Sequence, residues 1–133
     1  MICPIMDARR KQVYTGIYRY EDHRLVTVKD QMAVGIEELL SMLNEMGESV
    51  TFLGDGVPVF KDIIADKLEV PFSFAPAHLS RQRAGAVGAL GVLYYKEGRT
   101  ETAAEHKPDY LRVSQAERER VQKLKKESEG ENA

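Results

Sequence analysis

The sequence is poor in the residues that most often declare a chemistry. It has one cysteine, Cys3, in 133 residues, so neither an internal disulfide nor a multi-cysteine zinc site is available. Cys3 lies between Ile2 and Pro4-Ile5, the setting of a buried inert thiol rather than a nucleophile. The three histidines, His23, His78 and His106, are far apart and none belongs to a pair at metal-binding helical spacing. No apolar stretch approaches the ~20 residues of a membrane span, and the opening Met1-Ile2-Cys3-Pro4 lacks the basic and apolar regions of a signal peptide. There is no Gly-x-Ser-x-Gly elbow and no complete P-loop. There is also no excess of positive charge: the formal net charge is −2, which argues against an electrostatic nucleic-acid binder. A reducing, cytoplasmic setting fits the cysteine usage.

What is present is an ordinary globular composition, 43% hydrophobic and 30% charged, enough for one domain with a real core. Residues 2–6 are apolar strand formers, and Asp7 to Lys11 reads as a polar turn. Residues 12–20 are dense in β-branched and aromatic side chains, residues 21–24 form a second turn, and residues 25–28 a third strand. The period then changes. Ile36, Leu39, Leu40, Leu43 and Met46 share one helical face, and Gly47 is a C-terminal stop. Residues 50–53 make another strand, closed by Gly54-Asp55-Gly56. A helix follows to about Lys67, then a weak strand at residues 72–74, then a last helix from Leu79 or Ser80 to Tyr95. In that helix Gly85, Gly88 and Gly91 recur every three residues, each lowering helix propensity by ~1 kcal/mol relative to alanine. Close packing on its own sheet is the plain explanation, and a partner's groove the sharper one. Residues 114–133 carry ten charges, five of each sign, and read as a tail, helical or disordered.

The order βββαβαβα requires a mixed sheet with helices on both faces. It is the order of the ribonuclease-H-like unit that actin-like ATPases duplicate. A nuclease of this class holds divalent metals on carboxylates of the first strand, first helix and fourth strand. Asp7, Glu37 or Glu38, and Asp55 stand at about those places. Asp7 and Asp55, however, fall in turns, where aspartate serves local hydrogen bonds. The ATPase version needs a glycine-rich hairpin against phosphate, and here the hairpin carries Arg9 and Arg10 instead. Spacing alone identifies no catalytic, cofactor or metal residue.

The stretch from Pro4 through Asp7-Ala8-Arg9 to Val13-Tyr14 resembles the Pro-x-x-Asp-Ala-Arg…Val-Tyr hallmark of the TsaB (YeaZ) family. Phe52-Leu53-Gly54-Asp55-Gly56 resembles that family's Gly-Asp-Gly strand end, and Pro76-Ala77 with Leu79 the entry to a helical segment. Pro108-Asp109-Tyr110-Leu111-Arg112, followed by Ser114 to Arg118, resembles its closing motif. The resemblance implies an actin-like subdomain over residues 1–113, the second of two in the family, with no counterpart of the first. It further implies a non-catalytic scaffold that activates the enzyme TsaD, with the ATPase TsaE joining the assembly. TsaD transfers a threonylcarbamoyl group from an adenylate to adenosine beside the tRNA anticodon. The metal-binding histidine pair of TsaD has no counterpart here, and no cofactor is implied. The old "glycoprotease" label of the wider family implies a peptidase, but the sequence offers no nucleophile with a positioned base. A unit separated from its missing half also implies self-association into a homodimer.

Overall fold

The computed structural model describes residues 1–112. Five strands form one mixed sheet in the order β3-β2-β1-β4-β5, with β1 Ile2–Asp7, β2 Gln12–Glu21, β3 Arg24–Gly35, β4 Val50–Leu53 and β5 Phe72–Phe74. The meander β1-β2-β3 is antiparallel, whereas β4 runs parallel to β1 and β5 parallel to β4. Parallel neighbours need crossover connections. They are supplied by α1, Ile36–Met46, and α2, Val57–Lys67.

One face of the sheet meets these two helices. Along β2, Val13, Thr15 and Ile17 point inward and are buried, as the period of two requires. They join Cys3 and Ile5 of β1, Val50 and Phe52 of β4, Leu39, Leu40 and Leu43 of α1, and Phe60 and Ile64 of α2. Gly47 ends α1 in the left-handed region, φ 68°, its N–H donating to Leu43 and Asn44 carbonyls. Asn44 then joins the helices: its Nδ2 donates to the Lys67 carbonyl at 3.1 Å and its Oδ1 accepts from the Glu69 N–H at 2.8 Å. An end carbonyl of α2 is thereby satisfied.

The opposite face carries Tyr14, Gly16 and Tyr18, and beside it lie α3, Ala77–Ser80, and α4, Ala84–Lys96. Two boundaries differ from the sequence reading. The third strand runs to Gly35 rather than ending at Val28, because β2 is long enough to pair with all of it, from Gln12↔Gly35 to Glu21↔Arg24. The single last helix is broken in two: Arg83 is extended, φ −134° and ψ 127°, and restarts the helix. The glycine helix also does not pack closely on its sheet. None of its residues is buried, and a Cβ placed on Gly85, Gly88 or Gly91 would meet nothing within 4 Å.

Cys3 is fully buried, its Sγ 3.4 Å from Thr15 Oγ1, and burial pushes the thiol up to about 11. A thiol ionises near pH 8.5 once unfolded, so raising the pH from there to about 11 favours the unfolded chain. The loss reaches ~3 kcal/mol at the top of that window. Denaturant titrations should give a falling midpoint between pH 9 and 11 and a flat one between pH 6 and 8. A thiol reagent at pH 8 should label Cys3 only as the chain unfolds, and labelling at the rate of a free thiol would contradict this packing.

Candidate functional site

The sequence motifs, spread over more than a hundred residues, meet at the end of the sheet where parallel strands β1 and β4 both finish. Open α/β sheets place their crevices at such carboxyl ends.

The β1–β2 turn is the centre of this region. Ala8 N–H donates to the Gln12 carbonyl and Gln12 N–H to the Arg9 carbonyl, each at 3.0 Å. Between them Arg9, Arg10 and Lys11 all have positive φ, 64°, 54° and 57°. For a side chain with a Cβ, left-handed backbone costs roughly 1–2 kcal/mol per residue, so three in succession need support from outside the turn. Four neighbours supply it. Asp7 Oδ1 accepts from the Arg9 N–H at 2.9 Å, and Asp55 Oδ1 accepts from the Asp7 N–H at 3.1 Å. The Lys11 carbonyl accepts from Ile36 N–H, fixing the start of α1 at 2.9 Å. Arg112 closes the other side, its Nη1 donating to the Ala8 carbonyl at 2.7 Å and to Gln12 Oε1 at 3.2 Å. Its guanidinium lies 5.8 Å from the centre of the Tyr14 ring, within cation–π range.

The Gly54-Asp55-Gly56 loop reaches this turn because it can lie against β1. Gly54 has φ +106°, and a Cβ there would overlap the Ile5 carbonyl oxygen. A Cβ on Gly56 would sit 3.0 Å from the same oxygen, which instead accepts the Gly56 N–H. Gly54 N–H donates to the Ser80 carbonyl at 2.8 Å, drawing α3 to the end of β4. Both glycines therefore serve close approach of two backbones.

Each motif residue has a defined place. Ala8 and Val13 are buried, Tyr14 faces the opposite side of the sheet from Val13, and Leu111 and Arg112 are half-buried. Tyr110 is exposed. Tyr14, Tyr18, Val87, Leu111 and Arg112 line a half-open cleft of about 940 Å³ between this sheet face, α3, α4 and the C-terminal segment. Gly16 makes its floor: the Tyr18 ring lies across the space a side chain at Gly16 would fill. Burial, then the nearby Tyr94 and Asp30, raise the Tyr18 phenol above its ordinary value.

The carboxylates expected of a nuclease are only partly assembled. Asp7 and Asp55 are adjacent, but the Oδ1 of each accepts a backbone N–H at the β1–β2 turn, Asp55 from Asp7 and Asp7 from Arg9. Asp7 also pairs with Arg9 at 3.4 Å. Glu37 turns to Lys67 at 2.8 Å, and that hydrogen bond holds its carboxyl below the usual range. Glu38 is exposed on α1. Among the described residues no three His, Cys, Asp or Glu side chains form a group that could hold a metal ion. His23 sits in the β2–β3 turn at φ 62°, His78 lies in α3, and His106 pairs with Glu101 at 2.7 Å. No described helix is long and apolar enough to cross a membrane.

No family model matches the sequence. The tRNA threonylcarbamoyladenosine biosynthesis protein TsaB of Bacillus subtilis (strain 168) is 34% identical over 125 residues, which is 94% of this chain and 53% of that protein. The chain resembles TsaB across nearly its whole length. It spans about half the length of that TsaB. A crystal structure of a protein with similarity to the peptidase YeaZ from Pseudomonas aeruginosa superposes with a TM-score of 0.63 at 18% identity, covering 84% of this chain and 49% of that one. YeaZ from Pseudomonas aeruginosa gives 0.59 at 16%, covering 82% and 49%. The fold is the ribonuclease-H-like, actin-like one. Sequence reading found the motifs but not Gln12 or Ser80, whose contributions are an acceptor for Arg112 and a backbone carbonyl. Neither carries a sequence signal.

Gly54 gives the most direct check of this geometry. Gly54→Ala must either strain the left-handed backbone or part β1 from β4, and should cost ~3 kcal/mol or more. In a chain of this size that corresponds to a melting temperature lower by about 10 °C. A loss below ~1 kcal/mol would show that the two strand ends do not touch as described.

Proposed function

We propose that this chain acts in tRNA threonylcarbamoyladenosine biosynthesis as a non-catalytic scaffold, the partner of the threonylcarbamoyltransferase TsaD with the ATPase TsaE joining the assembly. The observation that carries the reading is the likeness to TsaB over 94% of the chain, reinforced by the convergence of Asp7, Ala8, Arg9, Val13, Tyr14, Gly54, Asp55, Gly56, Leu111 and Arg112 on one end of the sheet. In this reading those positions, with Tyr110, are structural or partner-facing rather than catalytic. Three of them hold backbone with their side chains: Asp7 and Asp55 accept N–H groups at the β1–β2 turn and Arg112 donates to a carbonyl. A chemical step needs groups aimed at a substrate instead.

Residues 1–113 form the folded subdomain, equivalent to the second half of TsaB, and residues 114–133 a charged tail. The tail and Val113 lie outside the described residues. The setting is the cytoplasm, where tRNA is modified. Formal charge is near balance, −2 overall, so tRNA is held by another member of the assembly. Without its partners the chain pairs with a second copy.

Reconstitution tests the function. Purified TsaD and TsaE, supplied with threonylcarbamoyl-adenylate and unmodified tRNA, should make more threonylcarbamoyladenosine when this chain is added together with the remaining half of a TsaB. The chain should make none without TsaD. Unchanged yield with both halves present, or product formed by this chain alone, would each contradict the proposal.

A further inference from the structure

Arg112 is a half-buried cation whose partners are all neutral. Its Nη1 makes both of its hydrogen bonds, to the Ala8 carbonyl and to Gln12 Oε1, and the Tyr14 ring is its third neighbour. Among the described residues no carboxylate stands within ion-pair distance of it. Its Nε and Nη2 find no acceptor in the same set. Those two atoms carry parallel N–H groups along one edge of the guanidinium, the edge that matches the two oxygens of a carboxylate. Bracing the β1–β2 turn uses Nη1 alone. A neutral donor would serve there without taking a charge out of water. The turn therefore accounts for neither the charge nor the unused edge.

Arg112 also lines the cleft of about 940 Å³ between the sheet, α3 and α4, a volume that suits a small molecule. Tyr14, Tyr18, Leu79 and Val87 give the cleft apolar walls. Its charged lining is three arginines, Arg81, Arg83 and Arg112, and two aspartates, Asp55 and Asp109, which leaves one positive charge in excess. Arg81 and Arg83 are exposed and, among the described residues, have no carboxylate within ion-pair distance either. One negative charge on an apolar body complements such a cleft. A doubly charged phosphate would give up more hydration against the same walls and would face both aspartates.

We propose that the cleft is a binding site for a monocarboxylate with an aromatic or branched aliphatic body. The carboxylate sits on the Nε–Nη2 edge of Arg112 and the body lies against Tyr14 and Tyr18. Arg81 and Arg83 attract the anion toward the opening. Arg112 keeps its Nη1 bonds when the site fills, so binding steadies the β1–β2 turn and the C-terminal segment together. The site does not depend on the role in tRNA modification, and either can fail without the other.

The probe is 4-phenylbutyrate, titrated into the whole 133-residue chain at constant ionic strength. Heteronuclear NMR follows the Arg112 Nε–H and the Ala8 and Gln12 amides. The expected result is a saturable shift at all three with a dissociation constant of about 1 mM or tighter. At saturation the two amides should exchange at least threefold more slowly. The uncharged 4-phenylbutyramide should bind at least tenfold more weakly than the acid. Val87→Asp cancels the excess charge at a position away from the turn and should weaken binding of the acid at least fivefold. Val59→Asp, on the exposed side of α2, should leave it unchanged. Arg112→Gln should lose the binding while keeping the circular dichroism spectrum.

Equal affinity for acid and amide, or undiminished binding by Arg112→Gln, would overturn the proposal. Inorganic phosphate producing the same shifts at lower concentration than the acid would also overturn it, by making the site one for phosphate. So would at least tenfold tighter binding of the acid once the five glutamates of residues 114–133 are replaced by glutamine, since a carboxylate of the chain's own tail would then be the occupant.

Discussion

The interaction on which the rest of this structure depends is the bracing of the β1–β2 turn. Arg9, Arg10 and Lys11 hold left-handed backbone without a glycine among them, a conformation the turn cannot sustain by local preference. Asp55 braces it from the β4–α2 loop and Arg112 from the far end of the described chain. The Lys11 carbonyl in turn sets where α1 begins. One small turn thereby registers the meander, the first crossover helix and the C-terminal segment against one another. The same contacts explain why the two glycines of the β4–α2 loop are needed: without them Asp55 could not come within reach of Asp7.

This arrangement also separates structural from chemical roles. The aspartates at the strand ends stand where a metal-dependent nuclease of the same fold would use them, yet the Oδ1 of each accepts an N–H at the β1–β2 turn. The fold is shared across chemistries and decides none of them; the hydrogen-bond partners of individual carboxylates are what distinguish a brace from a ligand. The second notable imbalance lies across the sheet. The face toward α1 and α2 is closed by a continuous apolar core. The face toward α4 is half open, its tyrosines lining a cleft and its helix exposed.

Much of the first half of the fold was legible in the sequence because it obeys simple periods. The density of β-branched and aromatic residues at 12–20 gave β2, the spacing of Ile36, Leu39, Leu40 and Leu43 gave α1, and Gly47 marked its end. The length of β3 was hidden because its outer residues are mostly exposed and do not alternate; pairing with β2, not burial, defines it. The break between α3 and α4 was hidden because Arg81-Gln82-Arg83 contains no proline or glycine. The strained turn was invisible for the same reason. The motif positions were legible as a set, but their meeting was not. Arg112 and Ala8 are 104 positions apart, and a hydrogen bond from a side chain to a distant carbonyl leaves no pattern to read.

The central claim is that Asp55 and Arg112 stabilise one conformation of one turn from opposite sides. A double-mutant cycle on Asp55→Ala and Arg112→Met, read by denaturant unfolding, tests it most directly. Residues that share an element in this way couple by ~0.5 kcal/mol or more, whereas independent sites add to within ~0.3–0.5 kcal/mol. The bracing predicts that either substitution alone releases much of the turn, so that the double variant loses clearly less than the two single losses combined. Strict additivity, with each substitution leaving the other's contribution intact, would contradict it.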